Sequence, residues 1–197
     1  MSSSIHPTAI VEDGVSIGDG TVIWDNVHLR GPSSIGSDCI VGEKTYIAYE
    51  VSIGDRVKIN AQVYICTAVT IESGTMISAG VIFTNDRRPR ATTPDLSALL
   101  PSESDDATEK TLVKEGATIG AGAVIGPGLT IGRFAMIGMG SVVTKSVGDH
   151  ILAVGNPART VGFVCRCGGE LDNGAETICH MCGRGFRMTG DVVEEIV

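Results

Sequence analysis

The chain has 197 residues, a formal net charge of −8, 43% hydrophobic residues, 4% aromatics and 26 glycines. That length allows one domain with a small appendage, and the acidic balance argues against nucleic acid as the main partner, although a local cleft can still take an anion. No stretch is long and apolar enough to span a bilayer, and the opening Met-Ser-Ser-Ser lacks the charged and apolar regions of a signal peptide, so a soluble cytoplasmic protein without membrane insertion is expected.

From Ile5 onward every sixth residue is a large aliphatic or Phe: Ile5, Val11, Ile17, Ile23, Leu29, Ile35, Val41 and so on to Ile77 and Phe83. The series resumes in phase at Val113 and runs through Ile119, Ile125, Ile131 and Ile137 to Val143. Neither an amphipathic helix nor a flat strand has that period, whereas a triangular solenoid with three short strands per coil does. Two residues before each member stands a small or β-branched residue such as Val15, Thr21, Val27 or Cys39, and the following residue is often Gly, as at Gly18, Gly36 and Gly54. The pattern predicts an all-β parallel β-helix, the large residue filling the core and the smaller one fitting near a corner.

Residues alternate faces along a strand, so the residue before each core position points outward. One outward column reads His28, Tyr46, Tyr64, Ile82, Val124, Val142; a second reads Val22, Ile40, Lys58, Met76, Thr118, Met136; the third is mostly Ser and Thr. Two partly apolar faces on a lone solenoid would be left wet, and a closed homotrimer that buries them is expected. Between Phe83 and Val113 lies an unpatterned loop, about residues 84–112, with Pro89, Pro94 and Pro101. Unpatterned loops of that length are usually functional or disordered. With about 18 residues per coil, its root should lie over Arg30, Ala48, Tyr49, Cys66 and Thr67.

The tail carries Cys165, Cys167, Cys179 and Cys182, and the expected division is a solenoid domain at 1–163 followed by a tail at 164–197. Two close Cys pairs can converge on a tetrahedral Zn²⁺ through four thiolates, which predicts a small structural zinc ribbon. His180 remains an alternative ligand. Cys39 and Cys66 fall inside the repeat and are expected to be reduced.

The hexads, the opening Ile5-His6-Pro7-Thr8-Ala9 and the closing Gly155-Asn156-Pro157-Ala158-Arg159 resemble the left-handed β-helix acyltransferases over about residues 5–163. The loop start Phe83-Thr84-Asn85-Asp86, followed by Arg87-Arg88-Pro89-Arg90, resembles a narrower group. These are the N-acetyltransferases of nucleotide-linked amino sugars, including the 3-amino sugars of surface polysaccharides. The resemblance implies a left-handed coil and acetyl transfer from acetyl-CoA to a sugar amine at a cleft between subunits.

It further implies that Asn85 positions the amine, with Asp86 or His28 taking the proton. The loop has no His, unlike many hexapeptide acyltransferases, and a sugar amine needs positioning more than deprotonation. As a turn residue Asn85 also fits a simple cap. Arg87 and Arg90, together with Arg88, would bind the anionic nucleotide sugar, with Tyr49 and Tyr46 beside it. Tyr46 and Tyr64 fit either base stacking or subunit packing. Gly120, Gly138 and Met139 would present backbone to the pantetheine arm of CoA, with Lys145 and Arg159 at its phosphates. Two further readings stay open: an acetyltransferase for a free small molecule, and a non-catalytic scaffold whose zinc ribbon binds a partner. A carbonic anhydrase of this fold needs three His on adjacent coils, and only His28 lies in the body of the coils.

Overall fold

The computed structural model describes residues 2–105, 107–190 and 192–196. Three parallel sheets run the length of the solenoid. Face 1 begins at Ser4–Ile5 and stacks Val22–Ile23, Ile40–Val41, Lys58–Ile59, Met76–Ile77, Thr118–Ile119 and Met136–Ile137. Face 2 stacks Ile10–Val11, His28–Leu29, Tyr46–Ile47, Tyr64–Ile65, Ile82–Phe83, Val124–Ile125 and Val142–Val143. Face 3 runs from Val15–Ile17 to Thr130–Ile131. Each rung repeats the one below, as in His28 opposite Tyr46 and Tyr46 opposite Tyr64. Across the inserted loop the register holds, with Phe83 opposite Ile125 and Ile71 opposite Val113.

The hexad row is the core from Ile23 upward, and Leu29, Ile47, Ile65, Phe83, Ile125 and Val143 are all buried. Ile5 and Val11 are exposed and Ile17 half-buried, against the expectation that the whole row is interior. The first coil has nothing stacked beneath it, so its core residues face an open end. The small residue near each corner also carries hydrogen bonds. The Thr21 hydroxyl donates to the Gly36 carbonyl at 2.7 Å and accepts from the Cys39 N–H at 3.0 Å. Thr45 repeats this one coil up, donating to Asn60 O and accepting from Val63 N–H. Buried corner amides thereby keep partners that water cannot supply.

Phe83 is the largest side chain in the solenoid core and stands at the root of the loop. Phe83→Ala is expected to destabilise the fold by about 3–5 kcal/mol through the cavity it leaves, read as a lowered denaturation midpoint.

The solenoid closes by changing direction. Ile151–Gly155 adds to face 1 in parallel with Met136–Ile137, and Ala158–Val164 then turns back antiparallel to it. Glu170–Leu171 pairs with Phe163 and Val164, so face 1 runs without a break through the boundary expected at 163/164. A separate antiparallel sheet of Glu176–Ile178, Gly185–Thr189 and Val192–Ile196 completes the tail. Its core is small: Cys165, Leu171, Cys179, Phe186 and Val193. The outward column of face 2 stays open, with Ile10 56%, Tyr64 45% and Ile82 43% exposed. Among the described residues no helix is long and apolar enough to cross a membrane.

Candidate functional site

The loop leaves the corner between faces 2 and 3. Thr84 anchors it there, its N–H and its hydroxyl both donating to the Ile125 carbonyl at 3.0 Å. Asp86 makes the turn that follows, its Oδ1 accepting the Arg88 N–H at 2.8 Å. Asn85 is half-buried, and its side-chain amide has no hydrogen-bond partner among the described residues, so Asp86 and not Asn85 caps the turn. Residues 85–88, 90, 91, 99–105 and 107–109 wall a cavity of about 780 Å³, Asn85, Asp86, Arg88 and Arg90 among them.

The arginines divide. Arg87 closes the loop's two ends, donating to Glu109 through Nε at 3.0 Å and Nη2 at 2.8 Å, and through Nη2 to Pro127 O at 3.3 Å. Its guanidinium holds the Glu109 carboxyl below the usual carboxylate range. That doubly bonded pair occupies Arg87, which departs from the expectation that it meets a ligand. Arg88 and Arg90 meet no carboxylate among the described residues, Arg90 donating only to Pro89 O.

The loop then descends the corner by two rungs, as the stacking arithmetic requires. Ser104 donates its N–H to the Tyr49 hydroxyl at 3.1 Å and its own hydroxyl to Glu50 at 2.9 Å. Tyr49, expected beside the ligand, is thus a loop anchor, with the Arg30 guanidinium 5.6 Å from its ring centre. Tyr46 stacks on Tyr64 with ring centres 5.2 Å apart and planes 7° from parallel, and the edge of His28 meets it at 5.5 Å. His28 Nε2 lies 2.8 Å from Glu12, which also accepts from Arg30. The bond to His28, aided by Arg30, draws the Glu12 carboxyl below its ordinary value. His28 lies three rungs below Ile82 on face 2, roughly 14 Å at the usual inter-strand spacing. Within one subunit it does not join Asn85. Cys66, beneath the loop, is buried, and burial pushes its thiol up to about 12, so it is no nucleophile.

The residues expected at CoA fall on two edges of face 2. Gly120 stacks directly on Gly138 and Met139 at the corner between faces 1 and 2, and Met139 is 83% exposed. Lys145 and Arg159 share a cleft of about 240 Å³ at the end of the solenoid, beside Val143, Ile151 and Thr160. Neither cation meets a carboxylate among the described residues; Arg159 donates only to Ala158 O. The corner of faces 1 and 2 has a feature that sequence reading passed over. Lys44 and Gln62 hold positive φ on its lower coils, yet Gly80, Gly122 and Gly140 take the same place above. A Cβ at Gly122 or Gly140 would meet nothing within 4 Å. Packing does not demand glycine there, although the positive φ favours it, and the result is a bare strip leading up to Met139.

In the tail the four sulfurs of Cys165, Cys167, Cys179 and Cys182 lie within 4.8 Å of one another. Cys165 Sγ is 3.5 Å from Cys182 Sγ, and Cys167 Sγ is 3.6 Å from Cys179 Sγ. Four thiolates around one Zn²⁺ at ~2.3 Å stand ~3.8 Å apart, so the cluster fits such an ion. Two tight turns present them, with Gly168 N–H donating to Cys165 O and Gly183 N–H to Cys179 O. The Arg184 backbone N–H lowers the Cys182 thiol to about 6, which favours the thiolate a metal requires. His180 instead pairs with Asp172 at 2.9 Å, outside the sulfur cluster.

Residues 14–49 and 110–145 match the family model of the bacterial transferase hexapeptide (six repeats), and residues 32–68 match the hexapeptide repeat of succinyl-transferase. These matches fall on the hexapeptide coils on either side of the inserted loop. A dTDP-3-amino-3,6-dideoxy-alpha-D-galactopyranose 3-N-acetyltransferase from Aneurinibacillus thermoaerophilus is 39% identical over 91 residues, 45% of this chain and 46% of that protein. The matched part thus spans about half the length of that curated relative. Among solved structures, an N-acyltransferase from Bacillus cereus in complex with dTDP and coenzyme A superposes with a TM-score of 0.62. It shares 22% identity over 75% of this chain and 82% of that one. A UDP-N-acetylglucosamine acyltransferase from Bacteroides fragilis gives 0.66 at 15% identity, over 82% of this chain and 61% of that one. At those identities the two structures support the hexapeptide fold alone.

Proposed function

We propose that the protein is an acetyl-CoA-dependent N-acetyltransferase acting on the amine of a nucleotide-linked amino sugar, in surface polysaccharide or glycoconjugate precursor synthesis. The observation that carries this reading is the half-buried, unbonded amide of Asn85 at the wall of a cavity that also holds Arg88 and Arg90. The sugar N-acetyltransferase relative supports the choice of acceptor.

Bound acetyl-CoA supplies the acyl carbon as a thioester. Asn85 holds the incoming amine by hydrogen bonding so that its lone pair faces that carbon. Asp86 spends one oxygen on the turn and keeps the other for the proton that leaves nitrogen as the N–C bond forms and the C–S bond breaks. Backbone N–H groups take the charge that develops on the acyl oxygen. Arg88 and Arg90 face the nucleotide's phosphates, while Arg87 and Tyr49 hold the loop in place.

The working unit is a homotrimer with face 2 toward the threefold axis. Face 2 carries no charged residue in its outward column, whereas face 1 has Lys58 and continues into the tail. Around such an axis the edge between faces 1 and 2 of one subunit faces the edge between faces 2 and 3 of the next. Gly120, Gly138, Met139 and Arg159, whose strand partner Val154 stacks on Gly138, then meet Lys145 across the interface and form one CoA cleft. The tail is a structural zinc ribbon; with four thiolate ligands no position is left for catalysis, and the ion staples a core too small to stand alone.

The test is CoA release with a panel of dTDP- and UDP-linked amino sugars. Turnover of free amino sugars at equal rates points to a free small-molecule acceptor. No turnover, together with no rise in melting temperature under acetyl-CoA, leaves a scaffold.

A further inference from the structure

The strand Ala158–Val164 joins two sites that the proposed function treats separately. Arg159, near its start, lines the cleft with Lys145, while Val164, at its end, is followed directly by the metal-ligand candidate Cys165. The strand's anchorage is uneven. From Ala158 to Phe163 it pairs with Ile151–Gly155, with a register shift at Val161, but on its other edge only Phe163 and Val164 have strand partners among the described residues, in Leu171 and Glu170 of the tail.

The Val164 end is also where solenoid and tail lock together. His150 and Val164 exchange two hydrogen bonds, Val164 N–H to His150 O at 2.8 Å and His150 Nδ1 to Val164 O at 2.9 Å. Because the carbonyl can only accept, Nδ1 carries the proton. The buried imidazole lies 5.3 Å from the Phe134 ring on the last coil and 5.4 Å from Phe186 in the tail core. Phe163 packs against both cores. Two of the five buried residues of the tail core, Cys165 and Cys179, belong to the sulfur cluster. An ion held by the cluster would tie these two core residues to Cys167 and Cys182.

We infer that the four-cysteine metal site positions Arg159 for the cofactor: by fixing the Val164 end of this strand, it holds the other end over the cleft. This rests on the proposed CoA and zinc readings. His150 is the positioning residue that transmits the constraint; it touches neither ligand.

The test compares the trimer as purified with protein stripped of metal by a chelator under reducing conditions. Titration calorimetry with CoA and with adenosine 3′,5′-bisphosphate, the fragment carrying the phosphates, gives the affinities. Stripping is expected to weaken both by an amount on the order of tenfold, with circular dichroism and trimer mass unchanged, and added Zn²⁺ restores them. His150→Leu is expected to weaken both with the metal still bound. His150→Asn keeps an amide N–H for Val164 and tolerates the φ of 60° at this position, so it should bind normally. Equal affinity in metal-bearing and stripped protein overturns the inference and leaves the two parent readings standing. Protein that neither contains nor takes up metal removes the zinc reading and this inference together. Metal-bearing protein that binds no CoA removes the cofactor reading, and the inference with it.

Discussion

Asn85→Ala is expected to lower kcat by roughly 100-fold, the scale at which a lost positioning contact misaligns reacting groups. The dissociation constant for CoA should stay within about twofold, because the affected group contacts only the acceptor and uniform binding is untouched. The structure makes this a clean deletion. The Asn85 amide bonds to nothing in the described protein, and the turn is held by Asp86 and by Thr84 on Ile125. Removing the amide therefore leaves the loop's anchors intact. Arg87→Ala is the contrasting variant, since it opens the clamp on Glu109 and Pro127 and should raise KM and lower kcat together. If Asn85→Ala lost CoA affinity in step with turnover, Asn85 would be a structural residue of the cofactor cleft and the assignment would fall.

What could be read in advance follows from how a solenoid stores information. Its contacts recur at a fixed separation of 18 residues, so one hexad row specifies the core, the register and the outward columns. The same arithmetic placed Tyr49 under the loop, where Ser104 meets it. The sulfur cluster was legible because two close Cys pairs form a pattern that can converge on one point. Contacts made by the aperiodic loop were not. Arg87 meets Glu109 across 22 residues that follow no repeat, so its use as a clamp and the freedom of Arg88 emerge only in three dimensions. The same holds for His28: its type invites a catalytic role, but its rung separates it from Asn85. At the expected boundary, 163/164, composition and sheet pairing give different signals. Composition changes there, while the face 1 sheet continues through Leu171.

Tyr64→Glu is expected to convert the trimer to monomer and to abolish CoA binding and turnover together. Tyr64 points outward at the centre of face 2, 45% exposed, with its ring on Tyr46 and its neighbour Ile65 in the core. The substitution removes the ring stack on Tyr46 but leaves the buried core intact, and circular dichroism should not change. In the proposed assembly it places three carboxylates close to the threefold axis without partners. Each costs several kcal/mol to desolvate, and the three together rival the about 8–12 kcal/mol of a micromolar-to-nanomolar association. Lys58→Glu, on the outward column of face 1, is the matched control and should remain a trimer by light scattering. A Tyr64→Glu protein that stays trimeric, or a Lys58→Glu protein that dissociates, would assign the axis to another face. The fate of CoA binding carries separate information. Gly120, Gly138, Met139 and Arg159 lie on the edge of face 2 shared with face 1, Arg159 through its partner Val154 over Gly138, and Lys145 lies on the other edge. The width of face 2 separates Lys145 from Gly120 and Met139 within one solenoid, so a monomer with both edges intact should still lose the cofactor. A monomer that kept its affinity would place the whole CoA site on a single edge, and only one of the two residue groups would then belong to it.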